Sequence, residues 1–146
     1  MPKLGIAIVG AGMIGAVHRR AALLAGAEVR GVAASSAQRA HEAAQSWNVP
    51  RAYRDIEEVI ADPQVQVVHV CTPNHLHRAM AQAALEAGKH VICEKPLATT
   101  LDDAQALAAL AASTGLVATV PSSTATTQWS ERHAHASARA IWGRCT

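Results

Sequence analysis

Apolar residues fall into short blocks along this chain, and the spacing within the blocks alternates between two kinds. The first block, Leu4 to Val9, is nearly continuous, interrupted only by Gly5, and predicts a strand buried on both faces. The next is periodic. Ile14, Val17, Ala21 and Leu24 recur at helical spacing while Arg19 and Arg20 point away, so an amphipathic helix is expected, with Gly26 as its stop. The alternation then repeats. EVRGVAA reads as a second strand, Ser36 to Trp47 as a helix, and Asp55 with Glu58 as the cap and return partner of a short third helix. VQVVHVCT predicts a strand, Leu76 to Ala87 a helix ending at Gly88, and HVICE another strand. Thr100 with Asp103 caps a helix along Leu101, Ala104, Ala108 and Ala111, which Gly115 ends before a last strand, LVATV. Strands alternating with helices through short loops imply an α/β fold, a doubly wound and mostly parallel sheet, over residues 1–120. There is no domain linker and no solenoid-type repeat.

Composition narrows the picture by exclusion. With 146 residues, half of them hydrophobic, the chain can bury a core of its own. Its formal net charge of +2 comes from scattered Lys and Arg, without the basic block that tracks a nucleic-acid backbone or an anionic membrane. The three cysteines, Cys71, Cys93 and Cys145, lack metal-type pairing, and two lie inside apolar runs, as expected of reduced thiols in a cytoplasmic protein. The N-terminal apolar run is too short for a signal peptide or a membrane span.

Chemistry enters at Gly10-Ala-Gly12-Met13-Ile14-Gly15, between the first strand and the first helix. In that setting Gly10 makes the tight turn, Gly12 lets the backbone approach a pyrophosphate, and Gly15 packs helix on strand. Free N–H groups at the helix start then hold the phosphates. The bland alternative is a tight turn with no ligand.

Which dinucleotide binds depends on the end of the second strand, where an NAD site has an acid for the ribose 2′-hydroxyl. Ala34, Ser35 and Ser36 stand there instead, Glu28 is at the wrong end of the strand, and Glu42 lies inside the helix. Ser35, Ser36 and Arg39 offer hydroxyls, helix-start N–H groups and one cation to a 2′-phosphate, which tips the reading toward NADP while leaving NAD open. Capping of the helix by Ser35, with Gln38 returning the bond, is the structural alternative and is compatible with phosphate binding.

A second constellation, CTPNHLH (71–77) and CEKP (93–96), closes the next two strands at carboxyl ends, where open α/β sheets bind ligands. Pro96 removes a backbone donor and restricts Lys95 to an extended conformation, so Lys95 is expected to project into the crevice. His75 and His77 have no third ligand at suitable spacing, and no metal site is expected.

The glycine loop, TPNHLH, AGKHVICEKPLA and TLDDAQAL occur in an order that resembles the Gfo/Idh/MocA oxidoreductases, the family of glucose-fructose oxidoreductase and inositol dehydrogenase. The likeness covers about the first 120 residues. It implies a Rossmann domain that is followed, in intact members, by an α/β domain carrying the substrate and the oligomer contacts. By this resemblance Gly10, Gly12, Met13, Ile14 and Gly15 line the pyrophosphate; Thr72, Pro73, Asn74 and His77 border the path from adenosine to nicotinamide; and Glu94 contacts the nicotinamide ribose. Lys95 is the implied catalytic residue, favouring a developing alkoxide and sharing in proton transfer where burial or a neighbouring cation lowers its pKa. His18 also matches a family position, as a packing or hydrogen-bonding residue.

The implied activity is hydride transfer between nicotinamide and a sugar, inositol or related polyol. The competing reading is a dinucleotide-binding module without chemistry. From Pro121 onward the apolar periodicity stops. A shift of reading frame just after the Pro121 codon accounts for this: restoring one base lets the other frame read FVYRYNPMVRAPRTRIREGDLGPLH, which resembles the family's continuation. The chain is therefore expected to carry a non-family stretch at 121–146 in place of the substrate domain.

Overall fold

A computed structural model describes residues 3–121. Residues 122–146, to which the frame-shift expectation applies, lie outside the described residues. Six strands and five helices alternate: β1 (Gly5–Val9), α1 (Met13–Leu24), β2 (Glu28–Ala33), α2 (Ala37–Trp47), β3 (Arg51–Tyr53), α3 (Ile56–Ala61), β4 (Val67–Val70), α4 (Asn74–Glu86), β5 (His90–Cys93), α5 (Leu101–Thr114) and β6 (Ala118–Thr119). The strands form one sheet in the order β3-β2-β1-β4-β5-β6, and every pairing is parallel. That order is the doubly wound Rossmann arrangement, with its reversal point between β1 and β4.

The central strands lie between two layers of helices and are apolar on both faces. All five residues of β1 and all four of β4 are buried. One side of the core gathers Val9, Val68, Val70, Leu85, Val91 and Leu107, and the other gathers Ile6, Ile8, Ala22, Val29 and Val67. Helix ends follow their local signals. Asp55 accepts from Glu58 N–H and Thr100 from Asp103 N–H, each worth about 1 kcal/mol, and Gly115 closes α5 in the left-handed conformation at φ 68°.

The structure corrects three expectations and adds one strand. The stripe Ile14, Val17, Ala21 and Leu24 faces away from the sheet; α1 buries Gly15, His18 and Ala22 instead. A Cβ on Gly15 would lie 1.9 Å from Gly10 O, so this helix sits too close to the first turn for large side chains, and the small face goes inward. Similarly, α5 buries Leu107, not Leu101, which is 72% exposed. Ser36, not Ser35, caps α2, because it is the residue left extended (φ −153°), and its hydroxyl accepts from Arg39 N–H at 3.2 Å; Gln38 bonds to Glu42. The strand β3 had no periodic signal: it is three residues long, edge-placed, and buries only Tyr53 fully. Its polar anchor is Asp62, which accepts from the Tyr53 hydroxyl at 2.8 Å and from Arg51 at 2.5 Å.

Candidate dinucleotide site

The carboxyl ends of β1, β2, β4 and β5 bring the expected site residues to one edge of the sheet. Gly10 leaves β1 with φ 114°, a region that L side chains avoid, and its N–H donates to Ala33 O at 2.9 Å. A Cβ there would lie 2.3 Å from Cys71 O, so the first turn is wedged against the end of β4. Gly12 differs in kind, because a Cβ on it would meet nothing within 4 Å. It is also the N-cap of α1, which has no side-chain cap and no acidic residue in its first turn. The start of a twelve-residue helix is therefore bare, with its first N–H groups and the positive end of its dipole turned to open space. That is what a pyrophosphate requires. Met13 and Ile14, 80% and 41% exposed, flank the opening.

At the end of β2, Ser35, Ser36 and Arg39 are all exposed, and Arg39 Nη1 reaches Ser35 Oγ at 3.5 Å. Glu28 lies at the far end of that strand, paired with Arg30, and Glu42 is held by Gln38 one turn into α2. At the end of β4, Pro73 precedes α4, which begins at Asn74, two residues earlier than its periodicity predicts. Pro73 and Asn74 are exposed, and the hydroxyl of Thr72 is buried without a partner among the described residues.

His77 is a buried residue in the first turn of α4. It is 1% exposed, with Nε2 at 2.7 Å from Thr72 O and Nδ1 at 2.7 Å from Pro96 O. Both ring nitrogens are thus occupied in tying the β4–α4 turn to the turn after β5. Pro96 follows a cis peptide bond.

Glu94 and Lys95 follow β5. Glu94 is partly buried: Oε1 is 2.9 Å from His18 Nε2, and Oε2 accepts from Lys95 N–H at 3.1 Å. Burial opposes its charge, yet the His18 and Lys95 hydrogen bonds and their charges outweigh it and hold the carboxyl below its ordinary range. Lys95 itself is exposed, and it is its backbone N–H that Glu94 holds. Cys71 and Cys93 are free thiols pushed up to about 12 by burial first and by Glu94 next, which makes them inert fillers of the strand ends.

Sequence reasoning missed His69, in the middle of β4. It is 4% exposed, its ring stands edge-on to His18 at a centroid distance of 5.2 Å, and the two Nδ1 atoms are 3.1 Å apart. The only available signal was one polar residue inside the run VVHV.

A family model described as "Oxidoreductase family, NAD-binding Rossmann fold", that of the Gfo/Idh/MocA proteins, matches residues 4–122. The chain belongs to this oxidoreductase family. Among its curated relatives are a 1,5-anhydro-D-fructose reductase of Ensifer adhaerens, 42% identical over 63% of this chain and 28% of the relative, and an inositol 2-dehydrogenase of Salmonella typhimurium, 43% identical over 67% and 30%. Solved structures give the same answer. Levoglucosan dehydrogenase in complex with NADH and levoglucosan superposes with a TM-score of 0.75 at 35% identity, covering 82% of this chain and 34% of that one. A 3-ketoreductase from Actinomadura kijaniata in complex with NADP and TDP-benzene gives 0.74 at 28%, covering 82% and 37%. The chain thus spans under a third of the length of these curated relatives. These two similar structures hold NADH and NADP respectively, so the likeness leaves the 2′-position open.

Proposed function

We propose that this chain is the dinucleotide-holding part of an NAD(P)-dependent oxidoreductase acting on a sugar, inositol or related polyol. The observation that carries the reading is the bare start of α1 behind Gly12, opening at the strand-order reversal, with Lys95 after the end of β5, two strands from β1. Nicotinamide, when bound, supplies the hydride chemistry. The backbone N–H groups at the start of α1, behind Gly12, grip the pyrophosphate, and the Thr72–Asn74 turn borders the dinucleotide. Glu94 has lone pairs left for ribose hydroxyls after serving His18 and the Lys95 amide. Lys95 carries its ammonium to the edge of the crevice, where it stabilises negative charge developing on the substrate oxygen. The substrate pocket is completed by groups beyond the described residues, and the described domain alone binds cofactor without turnover. The anhydrofructose reductase and inositol dehydrogenase activities named for the relatives support the substrate class. The two free thiols fit a reducing cytoplasm.

The 2′-position is read as favouring NADP. Ser35 and Ser36 hydroxyls, the N–H groups at the start of α2 and the Arg39 guanidinium lie together there, and among the described residues Glu28 is paired with Arg30 at the other end of β2 while Glu42 is bonded to Gln38. Calorimetric titration of the chain with NADP(H) and NAD(H) tests both levels. Binding is expected for both, with NADP(H) tighter. NAD(H) binding tenfold tighter, about 1.4 kcal/mol, overturns the Ser35, Ser36 and Arg39 reading. Absence of binding by folded protein overturns the cofactor site.

A further inference from the structure

Three side chains far apart in sequence form one hydrogen-bonded line beneath the crevice. His69 stands on β4, His18 on α1, and Glu94 at the end of β5, and the line ends on the backbone N–H of Lys95. The first two rings are 4% and 8% exposed, so water does not substitute for either contact.

The chemistry of the line determines where its protons sit. Burial, and then the proximity of His18, push the His69 ring down to about 4, so it is neutral near pH 7. Glu94 is ionised there, and an ionised carboxylate only accepts, so the nitrogen facing it, His18 Nε2, bears a proton. If His18 is neutral, its Nδ1 is then a bare lone pair and takes the proton of His69 Nδ1. The opposite assignment between the rings requires a doubly protonated His18 and leaves an N–H on His69 Nε2 buried with no partner. The first assignment orphans only a lone pair, which is the cheaper loss.

We propose that His18 is a positioning residue for the Glu94–Lys95 corner: it aims the Glu94 carboxylate so that one oxygen grips the Lys95 amide while the remaining lone pairs meet the nicotinamide-side ribose. This rests on the dinucleotide reading above. The helix that presents its N-terminus to the pyrophosphate is the same helix that carries His18, six residues after Gly12. The phosphate-binding and nicotinamide-binding ends of the site are therefore registered to each other through one side chain.

The test compares His18→Leu, which removes the donor, with His18→Gln, whose amide nitrogen reaches the position of Nε2. NADH, NADPH and ADP are titrated against each variant and the unmodified chain. ADP carries the adenine half and the pyrophosphate but no second ribose. In the Leu variant, both reduced dinucleotides are expected to bind about tenfold more weakly while ADP stays within about twofold, and the Gln variant should stay within about threefold throughout. Dinucleotide binding unchanged in the Leu variant overturns the proposal, and so does an equal loss of ADP, which marks a purely structural histidine. If the Leu variant does not fold, Glu94→Gln is read in its place by the same dinucleotide-to-ADP ratio. Nitrogen NMR of the unmodified chain near pH 7 supplies a readout independent of any ligand: a proton on His18 Nε2, the nitrogen that faces Glu94, is expected, and an unprotonated His18 Nε2 overturns the line. Should the unmodified chain bind neither dinucleotide nor ADP, the functional reading fails by itself, and the NMR result still decides whether the line exists.

Discussion

Replacing His69 by Asn should remove most of the acid sensitivity of this domain between pH 7 and pH 5. The folded protein holds the ring neutral, at about 4 against an ordinary 6.5, because burial penalises the charge and His18 adds to the penalty. The gap is about 2.5 pH units, and at about 1.4 kcal/mol for each it caps the effect at about 3 kcal/mol. The sign follows from which state takes up the proton. The unfolded chain protonates below 6.5 and the folded one only below about 4. The full contribution is therefore present above pH 6.5 and is lost as pH falls toward 4. From pH 7 to pH 5 the loss amounts to about 2 kcal/mol. Glu94, whose carboxyl is held low, keeps its own contribution in that window, since a depressed carboxylate loses stability only on further acidification. The substituted carboxamide would place its nitrogen at the position of His69 Nδ1, 3.1 Å from His18 Nδ1, so a hydrogen bond survives and the titration does not. Urea denaturation at pH 7, 6 and 5 at constant ionic strength gives the slopes directly. The unmodified chain should lose about 2 kcal/mol across the series and the variant well under half of that. Equal slopes would show that His69 is not the titrating group, whatever the absolute stability of the variant.

Two further outcomes separate site from scaffold. Gly12→Ala should lower urea stability by no more than about 1 kcal/mol, the cost of a poorer N-cap, since its Cβ meets nothing, while dinucleotide affinity falls at least tenfold by calorimetry; retained affinity would remove the pyrophosphate from that opening. Gly10→Ala, strained at φ 114° and 2.3 Å from Cys71 O, should lose both together, which a melting curve beside the titration will show. Lys95→Ala should leave NAD(P)H affinity of this chain within about twofold, since the side chain is exposed, while the matching change in a full-length relative should lower kcat with little change in KM for cofactor. An unchanged kcat would return Lys95 to the role of a solvated lysine.

What the sequence determined by itself was whatever depends on neighbours in the chain. The glycine spacing, the caps at Asp55 and Thr100, the left-handed stop at Gly115 and, β3 apart, the order of strands and helices are local matters of backbone sterics and hydrogen bonding, and all are legible in a one-dimensional pattern. The same holds for the corner residues Glu94 and Lys95, placed by the end of a buried run. Tertiary structure decided which face of α1 turns inward. Periodicity weighs apolar size and selects Ile14, Val17, Ala21 and Leu24, whereas the close approach of Gly15 to Gly10 O admits only Gly, Ala and a flat imidazole. It also decided β3, whose pairing to β2 comes from sheet geometry and the Asp62 anchor and not from its own three residues. The line from His69 to Glu94 joins positions 51 and 76 residues apart. No local pattern announces it, because each hydrogen bond exists only once the parallel sheet has brought β4, α1 and β5 side by side and removed the water that would otherwise satisfy each group alone.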